Sequence, residues 1–369
     1  MWHNKDMSKT GGTSGSNQYA AHGAAQAHPQ GALALSIPQA TPLLAQLHPL
    51  QVPAVTGRDP VWYGAAHYTG EWPGDRESAR TAAGHNWEPE LIEAYAVTDG
   101  PGGFHATPIP GARAVRRSDS KEILGVSSST RETIGISDMY DLVEALVDQP
   151  GIRYEAGGQM SGGRTVWVMA RMEPPAQIHG DPSRSYHRLT VVNRLVGPGA
   201  CSLEWTAVRE ASQSSISLAE LSGQPPLRFQ LRHTKNWRQR VKEIEQAVTG
   251  VRKWTDEWQK HVDYLASQPI TEDQRRSFLV QFVPMPPEGA ISDQVKANVL
   301  ADRAKVGHIM ESRTCEGVNG TAWGLVLAAA EYLDHERFYR SAETHFKRCL
   351  LRPEPLKRKA AEIARRLVA

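Results

Sequence analysis

The chain has 369 residues, 40% of them hydrophobic and 22% charged, an ordinary balance for a globular protein. At about 100–200 residues per domain, this length allows two domains or one large domain with a tail. Lys and Arg number 42 against 40 Asp and Glu, a net charge of only +2, so the chain is not basic as a whole and any nucleic-acid surface must be a local concentration of charge.

Cys201, Cys315 and Cys349 stand far apart with no CxxC pair. An odd, sparse set argues against a disulfide framework and a cysteine-rich zinc site, and suits a reducing compartment. The early apolar stretch 31–50 is interrupted by Pro38, Pro42 and Pro49. No run approaches the roughly 18 apolar residues that span a bilayer. Thr10 to Gln30 is Gly, Ser, Ala, Gln and His rather than an apolar signal core, despite Lys5 and Lys9 before it. The expectation is a cytoplasmic protein without membrane contact.

Residues 1–57 are rich in Gly, Ala, Ser, Gln, His and Pro. Such a segment buries too little apolar surface to offset the entropy of ordering, so a disordered tail is expected. Leu33, Leu35, Ile37, Leu43, Leu44 and Leu47 are its apolar exception, a set able to dock on the body or on a host or phage protein.

A strand-rich α+β part is expected over 58–225. It opens near Asp59-Pro60-Val61-Trp62-Tyr63, with a short helix from Asp75 to Ala83 closed by Gly84. Residues 113–117 and 122–126 read as strands around the turn Ser118-Asp119-Ser120. Ser137-Asp138 starts a helix carrying Met139, Leu142, Val143 and Leu146 at helical spacing. Residues 152–157 and 165–171 flank Gly157-Gly158 and Gly162-Gly163 as a hairpin, and 188–195 and 202–208 are further strands.

From Arg228 onward the period becomes helical, and a helical part over 226–369 is expected to pack on the strands. Trp237, Val241, Ile244, Val248, Val251, Thr255, Trp258, Val262 and Leu265 recur every three or four residues. They predict one long amphipathic helix with a heptad-like seam, bent locally at Gly250. The seam is also compatible with a homo-oligomer. Thr271-Glu-Asp-Gln274 is a capping-box pattern, and Pro284, Pro286 and Pro287 stop the helix it opens. Residues 292–312, 321–350 and 354–367 read as three more helical stretches. The fold class is therefore α+β: an antiparallel-rich sheet in the first half, packed with a mainly helical second half and preceded by a disordered tail.

Chemistry-bearing patterns are few. No Walker A, GxSxG or HExxH pattern occurs, and the 14 histidines are scattered. No catalytic residue, metal or cofactor is assigned on this basis. The suggestive stretch is Arg228 to Lys260. Arg232, His233, Lys235, Arg238, Arg240, Arg252 and Lys253 interleave there with Trp237, Trp254 and Trp258. A single-stranded nucleic-acid groove uses this mixture, charge tracking phosphates and rings stacking on bases. Against it, Trp237 and Trp258 fall on the apolar seam, and Glu243, Glu245, Asp256 and Glu257 dilute the charge. Lys357, Arg358 and Lys359 lie in the first turn of the last helix, where the dipole disfavours cations, and this placement hints at an anionic partner.

Gly320-Thr-Ala-Trp-Gly-Leu-Val-Leu-Ala-Ala-Ala-Glu-Tyr-Leu-Asp-His335 resembles the GTAWG…EYLDH signature of the phage/plasmid-like protein family, the DUF932 family. Leu124-Gly125-Val126, Tyr154 to Gly158 with Gly162 to Val168, and Leu231-Arg-His-Thr234 are similar to its other motifs, in the same order. The resemblance spans about Trp62 to Leu367. It departs at Val196-Gly-Pro-Gly-Ala200, where the family has a His-Asp-Gly turn, and at Ser212, where it has a cysteine. Arg209 and Gln213 match the family's arginine strand.

The resemblance implies a mobile-element setting, and with it DNA metabolism. The expected function is a non-enzymatic DNA-binding protein acting on single-stranded DNA in recombination or replication. Its contacts would come from Arg209, Gln213, Arg232, His233, Lys235, Arg238, Arg240, Arg252, Lys253 and Trp254. The alternative is a protein-interaction or regulatory module without nucleic-acid activity. A third reading is an enzyme built around Arg209, Ser212 and Gln213.

Overall fold

The computed structural model describes residues 59–69, 75–100, 103–146, 153–217, 221, 228–248, 251–287, 292–351 and 355–369. Within 245–253 only helical backbone is described, without side chains. The chain divides into two units, Met1–His48 and Pro49–Ala369. The first, and with it the whole of the expected tail, 1–57, lies outside the described residues.

The main sheet is antiparallel, in the order β1 (Tyr68–Thr69), β5 (Arg153–Met160), β6 (Thr165–Arg171), β8 (Arg184–Arg194), β9 (Ala200–Arg209). Two short strands share the far edge of β9: β10 (Ser215–Ser217) pairs with Thr206 to Val208 and β11 (Arg228–Arg232) with Ala200 to Glu204. β7 (Ala176–Gln177) pairs with the start of β8. Both faces of the sheet are covered. Val166, Val168, Ala170, Leu189, Val191, Leu203 and Trp205 enter one large apolar core with the helices. Trp167, Met169, Val192 and Val208 enter a smaller one with Trp62, Phe346, Leu350 and Leu351. Two-sided burial explains why these strands read as nearly continuous apolar runs.

A second sheet orders β2 (Pro89–Gly100), β3 (Gly103–Arg117) and β4 (Ile123–Ser128). The turn at Ser118 to Ser120 joins its last two strands as the sequence predicts. β2 and the outer part of β3 are not predicted from the sequence, which marks only 113–117 and 122–126 as strands here. Pro108 and Pro110 argue against a strand there. A strand accepts proline where one edge has no partner, and β4 pairs with β3 only from Ala112 to Arg116.

α1 (Arg76–Ala82) is capped by Asp75, whose carboxylate accepts from the Ser78 N–H, and Gly84 (φ +71°) follows its end. α2 (Ile136–Leu146) turns Ile136, Met139, Leu142, Val143 and Leu146 into the core. Helix is described over Trp237–Val248 (α3) and Val251–Ser267 (α4), the span expected for the long helix; residues 249–250 between them, with the bend expected at Gly250, lie outside the described ones. Trp237, Ile244, Trp258, Val262 and Leu265 of the predicted seam are buried. α5 (Glu272–Phe282) starts on the predicted capping box, with Thr271 and Gln274 bonding reciprocally. α6 (Asp293–Met310), the fully buried α7 (Ala322–Glu331), α8 (Ala342–Phe346) and α9 (Pro355–Val368) complete the chain.

Two expectations are corrected. Arg228–Arg232 is a strand, not the start of helix: Phe229 and Leu231 alternate with polar residues for only five positions, too short a window for period 2 to stand out. The stretch 321–350 is not one helix. α7 passes into a π turn at Tyr332–Glu336, Arg337 is extended (φ −83°, ψ 136°), and Ser341 caps a new start.

Candidate nucleic-acid interface

The cations after β9 and β11 part into two groups. Leu231 points into the large core, so strand alternation sends Arg232 to the other face, where it is exposed. Lys235 is exposed on the following turn, and neither side chain makes an ion pair or hydrogen bond among the described residues. Arg238 lies 4.3 Å from the Trp237 ring centroid, 3.4 Å from Asp138 and 3.6 Å from Glu132, with 65% of its side chain exposed. Arg240 is equally open, 3.7 Å from Glu243. Lys242 is exposed beside them. Loose pairs of this kind contribute little to stability and exchange readily for another anion.

His233 is withdrawn from this surface. Its Nδ1 accepts from the Ile134 N–H at 3.0 Å, and its carbonyl accepts from Glu132 N–H. Burial, reinforced by the charge of Arg131, pushes its pKa down to about 3, so the ring is neutral and ties the loop before α2 to β11. Arg209 is withdrawn too. It is 2% exposed, its Nε and Nη2 donate to both oxygens of buried Asp181 at 2.8 and 2.7 Å, and Nη1 donates to the Thr314 carbonyl. Arg209 also stands nine positions along β9 from Ala200, the partner of Arg232, about 30 Å at 3.3 Å per residue. Gln213, half-buried at φ +52°, donates from its side chain to the Glu210 carbonyl and closes a tight turn. Ser212 is buried in that turn.

The rings divide likewise. Trp237 and Trp258 are buried, and Trp254 is half-buried against the large core. Arg252 and Lys253 lie on α4, with side chains outside the described residues. The structure thus brings together Arg232, Lys235, Arg238 and Arg240 and separates Arg209 and Gln213 from them.

Three further groups escape a reading of linear runs. Arg131 donates to the carbonyls of Arg194 and Gly197, both at 2.8 Å, and so binds the 195–199 turn to the same corner. Arg194 is exposed. It pairs with Thr165 while Asn193 pairs with Cys201, which sets it on the sheet face shared by Arg228 and Arg232. The segment after α7 packs across that face, and from it Phe338, 86% exposed, projects between Arg337 and Arg340. The Tyr339 hydroxyl donates to the Leu333 carbonyl at 2.7 Å and its ring stacks on His345, so the turn carrying Phe338 is anchored.

Lys357 finds its anion inside the protein. Its Nζ sits 2.7 Å from Asp334 Oδ1 and 2.9 Å from Ser215 Oγ, and it is 4% exposed. Ser215 donates its N–H to Asp334 Oδ2 at 2.8 Å and its hydroxyl to the Cys349 carbonyl at 2.7 Å. The Asp334 of the Glu331-Tyr-Leu-Asp-His335 motif therefore knots β10, the π turn and α9 together. The hint of an external anionic partner at Lys357 is corrected accordingly. Burial, aided by Glu331, raises the Cys315 thiol to about 12, and all three cysteines are buried and free. Among the described residues no group of three or more His, Cys, Asp or Glu converges as a metal site. No helix described is long and apolar enough to cross a membrane.

No curated protein and no solved structure matches the chain. A family model described as a domain of unknown function, DUF932, matches residues 123–351. That span holds the main sheet from β5 onward, the cationic corner, and Ser215 and Asp334 of the knot, while Lys357 lies beyond it, and it covers well over half of the chain. The protein is therefore a member of the DUF932 family.

Proposed function

We propose that this protein is a non-enzymatic, cytoplasmic DNA-binding protein of a phage or plasmid, acting on single-stranded DNA in recombination or replication. The observation that carries the proposal is the row Arg232, Lys235, Arg238, Arg240 and Lys242, exposed on one segment and, among the described residues, paired with Glu132, Asp138 and Glu243. Such a row suits phosphate contacts, which position a nucleic acid without reading its sequence. Preference for single strands needs an open ring. Trp237 and Trp258 do not provide one, and Phe338 between Arg337 and Arg340 does. Fluorescence anisotropy with a labelled oligonucleotide tests the reading: Arg232→Glu with Lys235→Glu abolishes binding while the melting curve stays unchanged. Equal affinity of wild type and variant refutes it.

A specific observation favours the second reading, a protein-interaction module without nucleic-acid activity. The β2–β3 ribbon projects apolar side chains into solvent and carries no cation along its outer part.

A further inference from the structure

Beyond Ala94 on β2, and before Ala112 on β3, the second sheet is a two-stranded ribbon. Every residue from Tyr95 to Asp99 and from Gly103 to Gly111 is exposed. Register places Tyr95 opposite Pro108, Val97 opposite Ala106 and Asp99 opposite Phe104. Directly opposed side chains share a face, so Tyr95, Val97, Phe104, Ala106 and Pro108 form one largely apolar face, with Asp99 on the same face at its tip end. The other face carries Ala96, Thr98, His105 and Thr107. Phe104 is 80% exposed, Val97 62% and Tyr95 48%. An isolated two-stranded ribbon is marginal in water, and an exposed edge without lysine invites pairing.

The chemistry of the ribbon selects its occupant. No Lys or Arg lies between Ala94 and Ala112, so phosphate has nothing to bind there. The face is self-complementary. It sets large rings, Phe104 and Tyr95, beside small residues, Ala106 and Val97. Its two ends carry opposite charges: Asp99 is near the tip, and Arg113, exposed and without an ion pair among the described residues, stands at the base opposite Glu93. An antiparallel arrangement about a twofold axis brings the tip of one ribbon to the base of the other. The five apolar side chains would bury roughly 450 Å² per copy, or about 900 Å² for the pair, about a quarter below the ~1,200 Å² of the smallest stable specific interfaces and in the range of weak, transient ones. The association is then reversible and depends on concentration.

We propose that two copies of this chain associate through their β2–β3 ribbons, apolar face to apolar face and antiparallel, with Asp99 of each copy against Arg113 of the other. Sedimentation velocity of the full chain tests this. The mass is expected to rise from the 40.7 kDa of one chain towards twice that value across the micromolar range. Phe104→Glu is expected to stay monomeric at every concentration with an unchanged melting curve, because its ring is mostly in solvent. Asp99→Arg and Arg113→Asp are each expected to weaken the dimer, and the two together in one chain to restore it. A wild type that stays at one chain's mass throughout overturns the proposal, as does a dimer unaffected by Phe104→Glu. Failure of the paired swap to restore association overturns the antiparallel arrangement.

Discussion

Lys357→Met removes the cation that faces Asp334 in a site where the two side chains are 4% and 1% exposed. Breaking a buried pair from one side costs about 3–5 kcal/mol, because the remaining charge keeps its desolvation penalty. Asp334 retains the Ser215 N–H at 2.8 Å, and this donor offsets part of the loss. The expected cost is therefore at the low end, about 3 kcal/mol, or about 6 °C in Tm at roughly 2 °C per kcal/mol for a body of this size. Urea unfolding followed by tryptophan fluorescence reads the change directly, since Trp62, Trp167, Trp205, Trp258 and Trp323 are all buried. Adding Asp334→Asn removes the stranded charge, so the double variant should recover at least half of the loss. A single variant costing under about 1 kcal/mol, or a double variant costing the sum of the singles, refutes the claim that this pair knots the motif.

Acid should destabilise the fold through three buried histidines. Burial holds His85 and His187 at about 4 and His233 at about 3, against 6.5 for an exposed ring. The unfolded chain therefore binds more protons over that window, so stability is complete above pH 6.5 and falls as pH drops towards 4, by about 3 kcal/mol for His85 alone. Urea midpoints at neutral and mildly acid pH check this, and equal midpoints contradict it. Gly324→Ala should destabilise by a few kcal/mol, because a Cβ there runs into the Val318 carbonyl; thermal melting shows whether it does. Phe338→Ala should weaken oligonucleotide binding by about 1–3 kcal/mol without changing Tm, whereas Trp254→Ala should lower Tm more than affinity, since its ring packs on the core.

The strands from 113 to 208 were legible because turn residues bound them and those of the main sheet are apolar on both faces, and the Thr271–Gln274 box marked its helix to the residue. What escaped did so for physical reasons. Arg228–Arg232 exists as a strand because β9 offers it an edge, a long-range fact that five residues cannot announce. The break after α7 follows from Asp334 turning towards Ser215 and Lys357, 119 and 23 positions away. At the candidate interface, linear proximity grouped His233 with Arg232. The β-strand alternation across Leu231 that exposes Arg232 also buries His233. Arg209 looked like a surface cation because its partner Asp181 lies 28 residues away. The Trp237 and Trp258 rings were already on the apolar seam, and the structure keeps them there.

The most direct test is the salt dependence of oligonucleotide binding by the full chain. With Arg232, Lys235, Arg238, Arg240 and Lys242 on phosphates, the slope of log affinity against log salt should be about −3.5, near −0.7 per contact on a single strand. Affinity should then fall about 100-fold between ~50 and ~200 mM salt. Absence of binding at low-micromolar protein in ~50 mM salt would contradict the account, and so would a slope left unchanged by Arg232→Glu with Lys235→Glu.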